Sequence, residues 1–192
     1  MQTKNIMIVG VGGQGTLLTS RILGNMALKA GYEVKISEVH GMAQRGGSVV
    51  TFVRFGDSVA EPIVEEGCAD MLIAFERLEA LRYAHFLKKD GLMIINDVRM
   101  DPMPVAIGKA EYPGNIIENL SGKYKVISLD AKSEALKLNN ARVFNVIIVG
   151  VAAKGMEFDK KMWEEVVRDT VPAKMADINV EAFDRGYELV TV

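Results

Sequence analysis

A glycine-rich turn between an apolar strand and an amphipathic helix is the feature that most restricts the fold of this chain. Residues 6–9 read IMIV, an unbroken apolar run that is typical of a strand buried on both faces of a parallel sheet. Residues 10–15 read GVGGQG, and apolar residues then recur at helical spacing over 16–30, with Gly31 placed to cap the helix. This order predicts the first unit of an open α/β sheet.

Gly10, Gly12 and Gly15 satisfy the G-x-G-x-x-G pattern, and Gly13 and Gln14 complete the loop. Glycine permits positive φ and close backbone approach, while the N-terminus of a helix offers free N–H groups and a partial positive charge. Two interpretations stay open, a phosphate-binding loop or simply a tight turn between strand and helix.

Strands alternate with helices along the rest of the chain, and this predicts an α/β fold with three layers, Rossmann-like, built on a mostly parallel sheet. A β-hairpin insertion after the second strand is expected from residues 49–55 and 59–64, separated by a Gly-Asp-Ser turn. Residues 1–192 are expected to form a single domain. The other predicted strands are 32–38, 69–76, 92–98 and 125–129, and the helices are 77–90, 132–155 with a break near residues 139–140, and 158–192 interrupted by Pro172.

A second loop concentrates polar and flexible residues after the second strand, where the sequence reads VHGMAQRGGSVV. It carries His40, Arg45, Gly46 and Gly47. Loops at the carboxyl ends of strands line the ligand crevice of an open α/β sheet, so this loop is expected beside Gly10–Gly15 and to share a rim with it. An anion there would meet helix N–H groups and a guanidinium. The structural alternative is that Arg45 pairs with a carboxylate such as Glu38.

A polar stripe of Asn140, Arg142 and Asn145 lies on a helix whose other face is apolar. These side chains are expected either to face the crevice opposite the glycine loop or to serve capping and solvation.

Composition excludes several classes of function. A formal net charge of −2 does not suggest non-specific binding to nucleic acid or a membrane surface, which would need a basic face. The single cysteine, Cys68, rules out an internal disulfide, a four-cysteine zinc site and a cysteine-ligated iron–sulfur cluster within this chain. It also favours a reducing, cytoplasmic location. No run of apolar residues reaches the length of a membrane span, and the first residues do not resemble a signal peptide.

Three segments in this order, IVGVGGQG, SEVHGMAQRGGSVVTFVRFG and ADMLIAFERLEALR, resemble the gamma-type subunits of 2-oxoacid:ferredoxin oxidoreductases. The HGMAQRGGS stretch is similar to the indolepyruvate branch of that family. The resemblance covers nearly the whole chain and is strongest over residues 8–82.

The resemblance implies an accessory subunit of an enzyme that converts a 2-oxoacid, here indolepyruvate or another arylpyruvate, and coenzyme A into an acyl-CoA, carbon dioxide and reduced ferredoxin. It implies that thiamine diphosphate, magnesium and 4Fe-4S clusters belong to a larger catalytic partner subunit, and that this chain binds no cofactor firmly. It also implies a role in closing the active site over CoA. The residues expected at that contact are Gly10, Gly12, Gly13, Gln14, Gly15, His40, Arg45, Gly46 and Gly47.

A freestanding NAD(P)-dependent oxidoreductase and a nucleotide-sensing module remain as alternatives from the glycine fingerprint. An NAD site requires an acidic residue about 20 residues beyond the glycines, at the end of the second strand. Glu38 lies near that position, but the residues after it do not form a plain turn into a helix.

Overall fold

One sheet of six strands organises the computed structural model, which describes residues 2–40 and 46–190. The spatial order of the strands is β2-β3-β1-β4-β5-β6. Their bounds are β1 Lys4–Val11, β2 Glu33–His40, β3 Ser48–Gly56, β4 Ala69–Ala74, β5 Leu87–Asn96 and β6 Lys125–Leu129.

Helices cover both faces of the sheet, which gives the three predicted layers. Helices α1, α5, α6, α7 and α8 pack on one face, and α2 and α4 pack on the other. The bounds of the helices are α1 Thr16–Lys29, α2 Arg77–Tyr83, α3 Met103–Ala106, α4 Ile116–Ser121, α5 Ala131–Lys137, α6 Phe144–Lys154, α7 Lys160–Thr170 and α8 Ala176–Glu188. Among the described residues, none of these helices is both long and apolar enough to cross a bilayer.

Five of the six described strands, β1, β2, β4, β5 and β6, run in the same direction, and β3 lies antiparallel between β1 and β2. The prediction of a mostly parallel α/β sheet is therefore confirmed. The buried apolar runs of β1, β4 and β5 explain the parallel centre, because strands covered on both faces need side chains that are apolar on both faces.

The predicted hairpin is wrong in its second arm. Residues 59–64 form no strand, and the antiparallel partners of β3 are β1 on one side and β2 on the other. Both edges of β3 are thus already hydrogen-bonded, and no edge is left for a returning strand. The segment is instead held by Arg54, whose Nη1 donates to the carbonyls of Glu61 at 2.9 Å and Ile63 at 2.8 Å.

The helix predicted for residues 77–90 ends at Tyr83, and residues 87–90 belong to β5. Leu87 pairs with Ala69, whereas Leu92 pairs with Met71, so β5 carries extra residues between the two pairs and forms a bulge there. The predicted break near residues 139–140 and the interruption at Pro172 are both confirmed. At the first break, Asn139 adopts a φ of +56°.

Helices α6 and α8 approach each other unusually closely over two glycines. A β-carbon on Gly186 would lie 1.9 Å from the carbonyl oxygen of Ile147, and one on Gly150 would lie 2.2 Å from that of Phe183. This contact fixes the carboxyl-terminal helix against α6, whose amino end reaches the glycine loop of β1.

Candidate functional site

The two glycine-rich loops meet at the carboxyl end of β1. The N–H of Gly12 donates to the carbonyl of Gly47 at 2.9 Å, and the N–H of Gly46 points back to the carbonyl of Gly12 at 3.5 Å. The register continues directly into the sheet, where Val11 pairs with Ser48. The prediction that these loops share a rim is therefore confirmed for their described residues.

Gln14 closes the first loop on itself and onto the neighbouring strand. Its Oε1 accepts from the N–H of Val11 at 2.7 Å, and its Nε2 donates to the carbonyl of Phe75 at 3.1 Å. A β-carbon on Gly10 would lie 2.9 Å from both that Oε1 and the β-carbon of Phe75, so only glycine fits beneath the glutamine. The side chain of Gln14 is thus occupied in shaping the loop.

Backbone N–H groups at the start of α1 are free to meet a ligand. Gly13 and Gly15 adopt φ values of +99° and +91°, which favour glycine. Within the described residues, the N–H groups of Gly13, Gly15 and Thr16 find no acceptor, and α1 has no side-chain cap. A β-carbon on Gly13 would have nothing within 4 Å. Open space and unpaired donors therefore coincide at the helix N-terminus.

Asn145 brings α6 into this crevice. It is 6% exposed, and its Nδ2 lies 2.6 Å from the position of a β-carbon on Gly15. The prediction that the polar stripe faces the glycine loop is confirmed for Asn145. Asn140 instead caps the following turn, accepting from the N–H of Arg142 at 3.1 Å, and Arg142 is exposed.

The glycines of the second loop lie at the rim, whereas His40 lies apart from it. Arg45 lies outside the described residues. His40 is exposed and its Nδ1 is 3.7 Å from Oε1 of Glu38. His40 pairs with Val49, which pairs with Gly10, so β3 separates the histidine from the glycine loop by two strand spacings, roughly 10 Å.

The strand order also separates Glu38 from the glycine loop. In the dinucleotide-binding fold the second strand is the neighbour of the first, which brings the acidic residue at its end to the ribose. Here β3 intervenes between β1 and β2. The carboxylate of Glu38 accepts from the hydroxyl of Thr51 at 3.3 Å. The geometry therefore does not support an NAD site of the usual kind.

Two buried carboxylates beneath the rim were missed by the sequence reasoning. Glu79 is 4% exposed, accepts from the hydroxyl of Ser48, and lies 3.2 Å from Nη1 of Arg82. Burial raises the pKa of Glu79, and the hydrogen bond from Ser48 and the charge of Arg82 oppose that rise. Ser48 directly follows Gly47, so Glu79 anchors the second loop to α2.

Glu76 organises the next part of the crevice, where β4 ends. It is 1% exposed, its Oε2 accepts from the N–H of Glu79 at 3.0 Å, and its Oε1 accepts from the N–H of Met100 at 3.0 Å and from the hydroxyl of Tyr112. Burial and then the bond to Glu76 raise the pKa of Tyr112. Acidic residues directly after a buried strand, within FERLE, were the available sequence signal.

The described residues supply binding groups to the rim, namely N–H donors, the amide of Asn145 and rigid supports beneath both loops. This arrangement suits an anion such as a phosphate. The fold and the rim define a Rossmann-like α/β domain that presents a glycine loop at the carboxyl edge of a parallel sheet.

Residues 5–189 match the family described as "Pyruvate ferredoxin/flavodoxin oxidoreductase", and the chain belongs to that family. Indolepyruvate oxidoreductase subunit IorB of Pyrococcus horikoshii is 43% identical over 194 residues, covering 97% of this chain and 95% of that protein. The subunit of the same name from Archaeoglobus fulgidus is 43% identical over 190 residues, covering 95% and 93%. The resemblance to gamma-type subunits is thereby confirmed.

Two solved structures share the fold. Pyruvate oxidoreductase subunit PORC of Thermotoga maritima superposes with a TM-score of 0.74 at 22% identity, covering 98% of this chain and 97% of that one. The 2-oxoglutarate:ferredoxin oxidoreductase of Magnetococcus marinus, solved with 2-oxoglutarate, coenzyme A and succinyl-CoA bound, gives a TM-score of 0.73 at 19% identity. It is covered over 31% of its chain, against 97% of this one.

Proposed function

We propose that this chain is the accessory, gamma-type subunit of an arylpyruvate:ferredoxin oxidoreductase, with indolepyruvate as its substrate. The complex would oxidise the 2-oxoacid with coenzyme A, releasing carbon dioxide, forming the acyl-CoA thioester and passing two electrons to ferredoxin. Relatives at 43% identity that carry the indolepyruvate name support this substrate class.

The catalytic cofactors are proposed to lie on a larger partner subunit. Thiamine diphosphate with magnesium would carry the decarboxylation, and 4Fe-4S clusters would carry the electrons. The single cysteine supports this division, because a cysteine-ligated cluster needs several thiolates. The matched segment of the Magnetococcus marinus chain is one part of a longer polypeptide, which supports a domain that works beside others. Residues 1–192 form one such domain, acting in the cytoplasm.

The contribution of this chain is proposed to be a contact to the phosphates of CoA as the active site closes. The observation that carries it is the backbone bond between Gly12 and Gly47, which joins the two loops into one rim. The free N–H groups of Gly13, Gly15 and Thr16 would bind the phosphate oxygens. Arg45, next to Gly46, would supply the cation, and His40 would act at the outer end of the rim.

The subunit assignment is tested by purification from the native host through a tag on this chain. A brown, thiamine-dependent complex that reduces ferredoxin or viologen with indolepyruvate, in preference to pyruvate and 2-oxoglutarate, is expected. A colourless chain that purifies alone and binds NAD would contradict it. In that case turnover by the lone chain would indicate an NAD(P)-dependent oxidoreductase, and binding without turnover a nucleotide sensor.

The CoA contact is tested by one added charge at the rim. Gly13→Asp and Gly13→Asn are closely matched in size and in backbone strain, and the site is open, so they differ chiefly in charge. In the assembled complex we expect the KM for CoA to be roughly tenfold higher in the aspartate variant than in the asparagine variant, a difference of about 1.4 kcal/mol. The KM for the 2-oxoacid should be equal in both. Equal KM values for CoA would refute the contact while leaving the subunit assignment intact.

A further inference from the structure

A second cavity opens at the amino-terminal ends of the parallel strands, opposite the ends that carry the glycine loop. It measures about 450 Å³ and is bordered by residues near the start of three strands, Lys4, Asp70 and Lys125. The length of β1 separates it from the glycine rim by roughly 23 Å. A ligand here would not touch the proposed CoA contact, so the inference does not depend on the proposed function.

The cavity lies where β5 departs from regular pairing with β4. The extra residues between Leu87 and Leu92 form a bulge at the start of the strand, and residues 88–91 line the cavity. Gly91 lies in this bulge, where a β-carbon would approach Leu87 to 2.7 Å. Gly155, at the end of α6, lines the cavity as well, and a β-carbon there would meet Leu92 at 3.0 Å. A side chain at position 155 would therefore approach Leu92 and Met71, which both line the cavity.

The floor of the cavity is apolar and partly aromatic. Ile6, Phe55, Met71 and Leu92 are buried core residues that line it, and the half-buried Phe158 forms one side. The ring centroids of Phe55 and Phe158 are 5.9 Å apart. An aromatic ring would find both edge and face contacts here.

The mouth of the cavity carries more lysines than acidic residues. Lys88 pairs with Asp70 at 2.8 Å, and Asp70 also accepts from the N–H of Asn5 at 2.8 Å, so that pair is satisfied within the fold. Lys4, Lys89 and Lys125 line the same cavity, are exposed, and form no ion pair with any residue in the described ranges. The other acids at the mouth are the exposed Asp90 and Glu157.

We propose that this cavity binds a small aromatic monocarboxylate, with its ring against Phe55, Leu92 and Phe158 and its carboxylate among Lys4, Lys89 and Lys125. An apolar floor alone would accept any hydrophobic molecule, and free lysines alone would attract any anion. Their combination in one cavity selects a ligand that carries both groups. Lys4, Lys89 and Lys125, set against the exposed Asp90 and Glu157, leave a formal excess of one positive charge at the mouth, which a single carboxylate neutralises.

The probe is 2-naphthoate, with 2-naphthamide as its neutral counterpart of the same shape. Binding to the full chain is measured by calorimetry and by the NMR shifts of backbone amides around Gly91 and Met156. For a ligand of this size, we expect a dissociation constant of roughly 0.1–1 mM. The amide should bind at least fivefold more weakly. Equal affinity for acid and amide would overturn the proposal, because the lysines would then play no part.

Two variants test the two halves of the site. Lys125→Glu should weaken naphthoate binding about tenfold, whereas Lys123→Glu, an exposed lysine outside the cavity, should leave it unchanged. Gly155→Leu should abolish binding by filling the space, and its unchanged affinity would refute the location. The backbone of Gly155 has a φ of −88°, which any residue adopts, so the variant is expected to fold.

The same titration is repeated on the purified complex. Retained affinity in the complex is expected for a ligand site. Loss of naphthoate binding on assembly would overturn the proposal and assign the cavity to a contact with a partner subunit.

Discussion

The side-chain amide of Asn145 occupies the place that a β-carbon on Gly15 would need, with Nδ2 only 2.6 Å from that position. Residues 130 positions apart are thus fitted together at the crevice, and the identity of one restricts the other. The glycine is required twice, once for its φ of +91° and once for this approach.

Gly15→Ala is therefore expected to destabilise the protein more than Gly13→Ala. Both substitutions add a β-carbon at positive φ, which costs about 1–2 kcal/mol, but at Gly13 that carbon meets open space. Collision with Asn145 should add about 1–3 kcal/mol at Gly15. Chemical denaturation measures the difference in the free energy of unfolding. The double variant Gly15→Ala with Asn145→Ala should recover the added part, and equal costs at both glycines would disprove the close contact.

Gln14→Ala should destabilise the glycine loop by removing the two hydrogen bonds that its side chain makes. The N–H of Val11, which is 8% exposed, would lose its acceptor, and the carbonyl of Phe75 would lose a donor. A buried N–H without a partner costs about 1–3 kcal/mol. Hydrogen exchange at the Val11 amide is expected to accelerate by at least tenfold. Gln14→Glu is the matched control, since it keeps the acceptor for Val11 and should preserve protection there; equal acceleration in both variants would contradict this role.

The contribution of Glu79 to the free energy of unfolding should fall as the pH rises. Its pKa is raised above the ordinary value of 4.5, chiefly by burial, with Ser48 and Arg82 opposing and Glu76 reinforcing the rise. A carboxyl group with a raised folded pKa stabilises fully below its unfolded pKa, and this contribution is lost as pH rises through the folded pKa.

Glu79→Gln, which still accepts from Ser48, should therefore flatten the decline in the free energy of unfolding from about pH 4.5 upward. Denaturant titrations at a series of pH values between about 4 and 7 supply the measurement. Glu111→Gln, at an exposed carboxyl, should leave the slope of the native protein unchanged. A slope that is the same in the Glu79 variant and the native protein would rule out the linkage.

Among the alanine substitutions at the described glycines, Gly186→Ala is expected to lower the free energy of unfolding most. Its β-carbon would lie 1.9 Å from the carbonyl oxygen of Ile147, a backbone atom, so α8 would have to move off α6. We expect a loss of about 3 kcal/mol or more, visible as a large fall in Tm. Gly122→Ala, where the nearest atom would be 3.7 Å away, should change Tm little. Similar Tm values for the two variants would argue against this packing.

Local patterns in the sequence predicted most of the elements because those elements depend on nearby residues. The strand, glycine turn and helix over residues 4–29 and the strand Lys125–Leu129 fall where periodicity places them. The position of β3 could not be derived in that way. Whether residues 49–55 pair with a returning arm or insert between β1 and β2 depends on which edges are free, and this is a property of the assembled sheet.

The candidate site, like the fold, could be predicted from the sequence only in part. The junction of Gly12 with Gly47 followed from the rule that loops at one edge of a sheet lie together. The roles of Glu76 and Glu79 did not, because a glutamate in the sequence FERLE is usually on the surface and only the packing of α2 buries these two. The helix predicted over residues 87–90 is wrong because three of these four residues are polar and do not show the apolar pattern of a strand. They lie in the bulge of β5, which only the pairing with β4 reveals.

Strand β3 is paired along both of its edges over the stretch from Val49 to Phe55. The covalent link through residues 41–45 is therefore only one of several connections between β2 and the rest of the sheet. A chain cut within that link would remain assembled as two fragments, held by the ladders on either side of β3. A protease site or a reporter peptide could accordingly be inserted between His40 and Gly46 while the strand pairing of the sheet is kept.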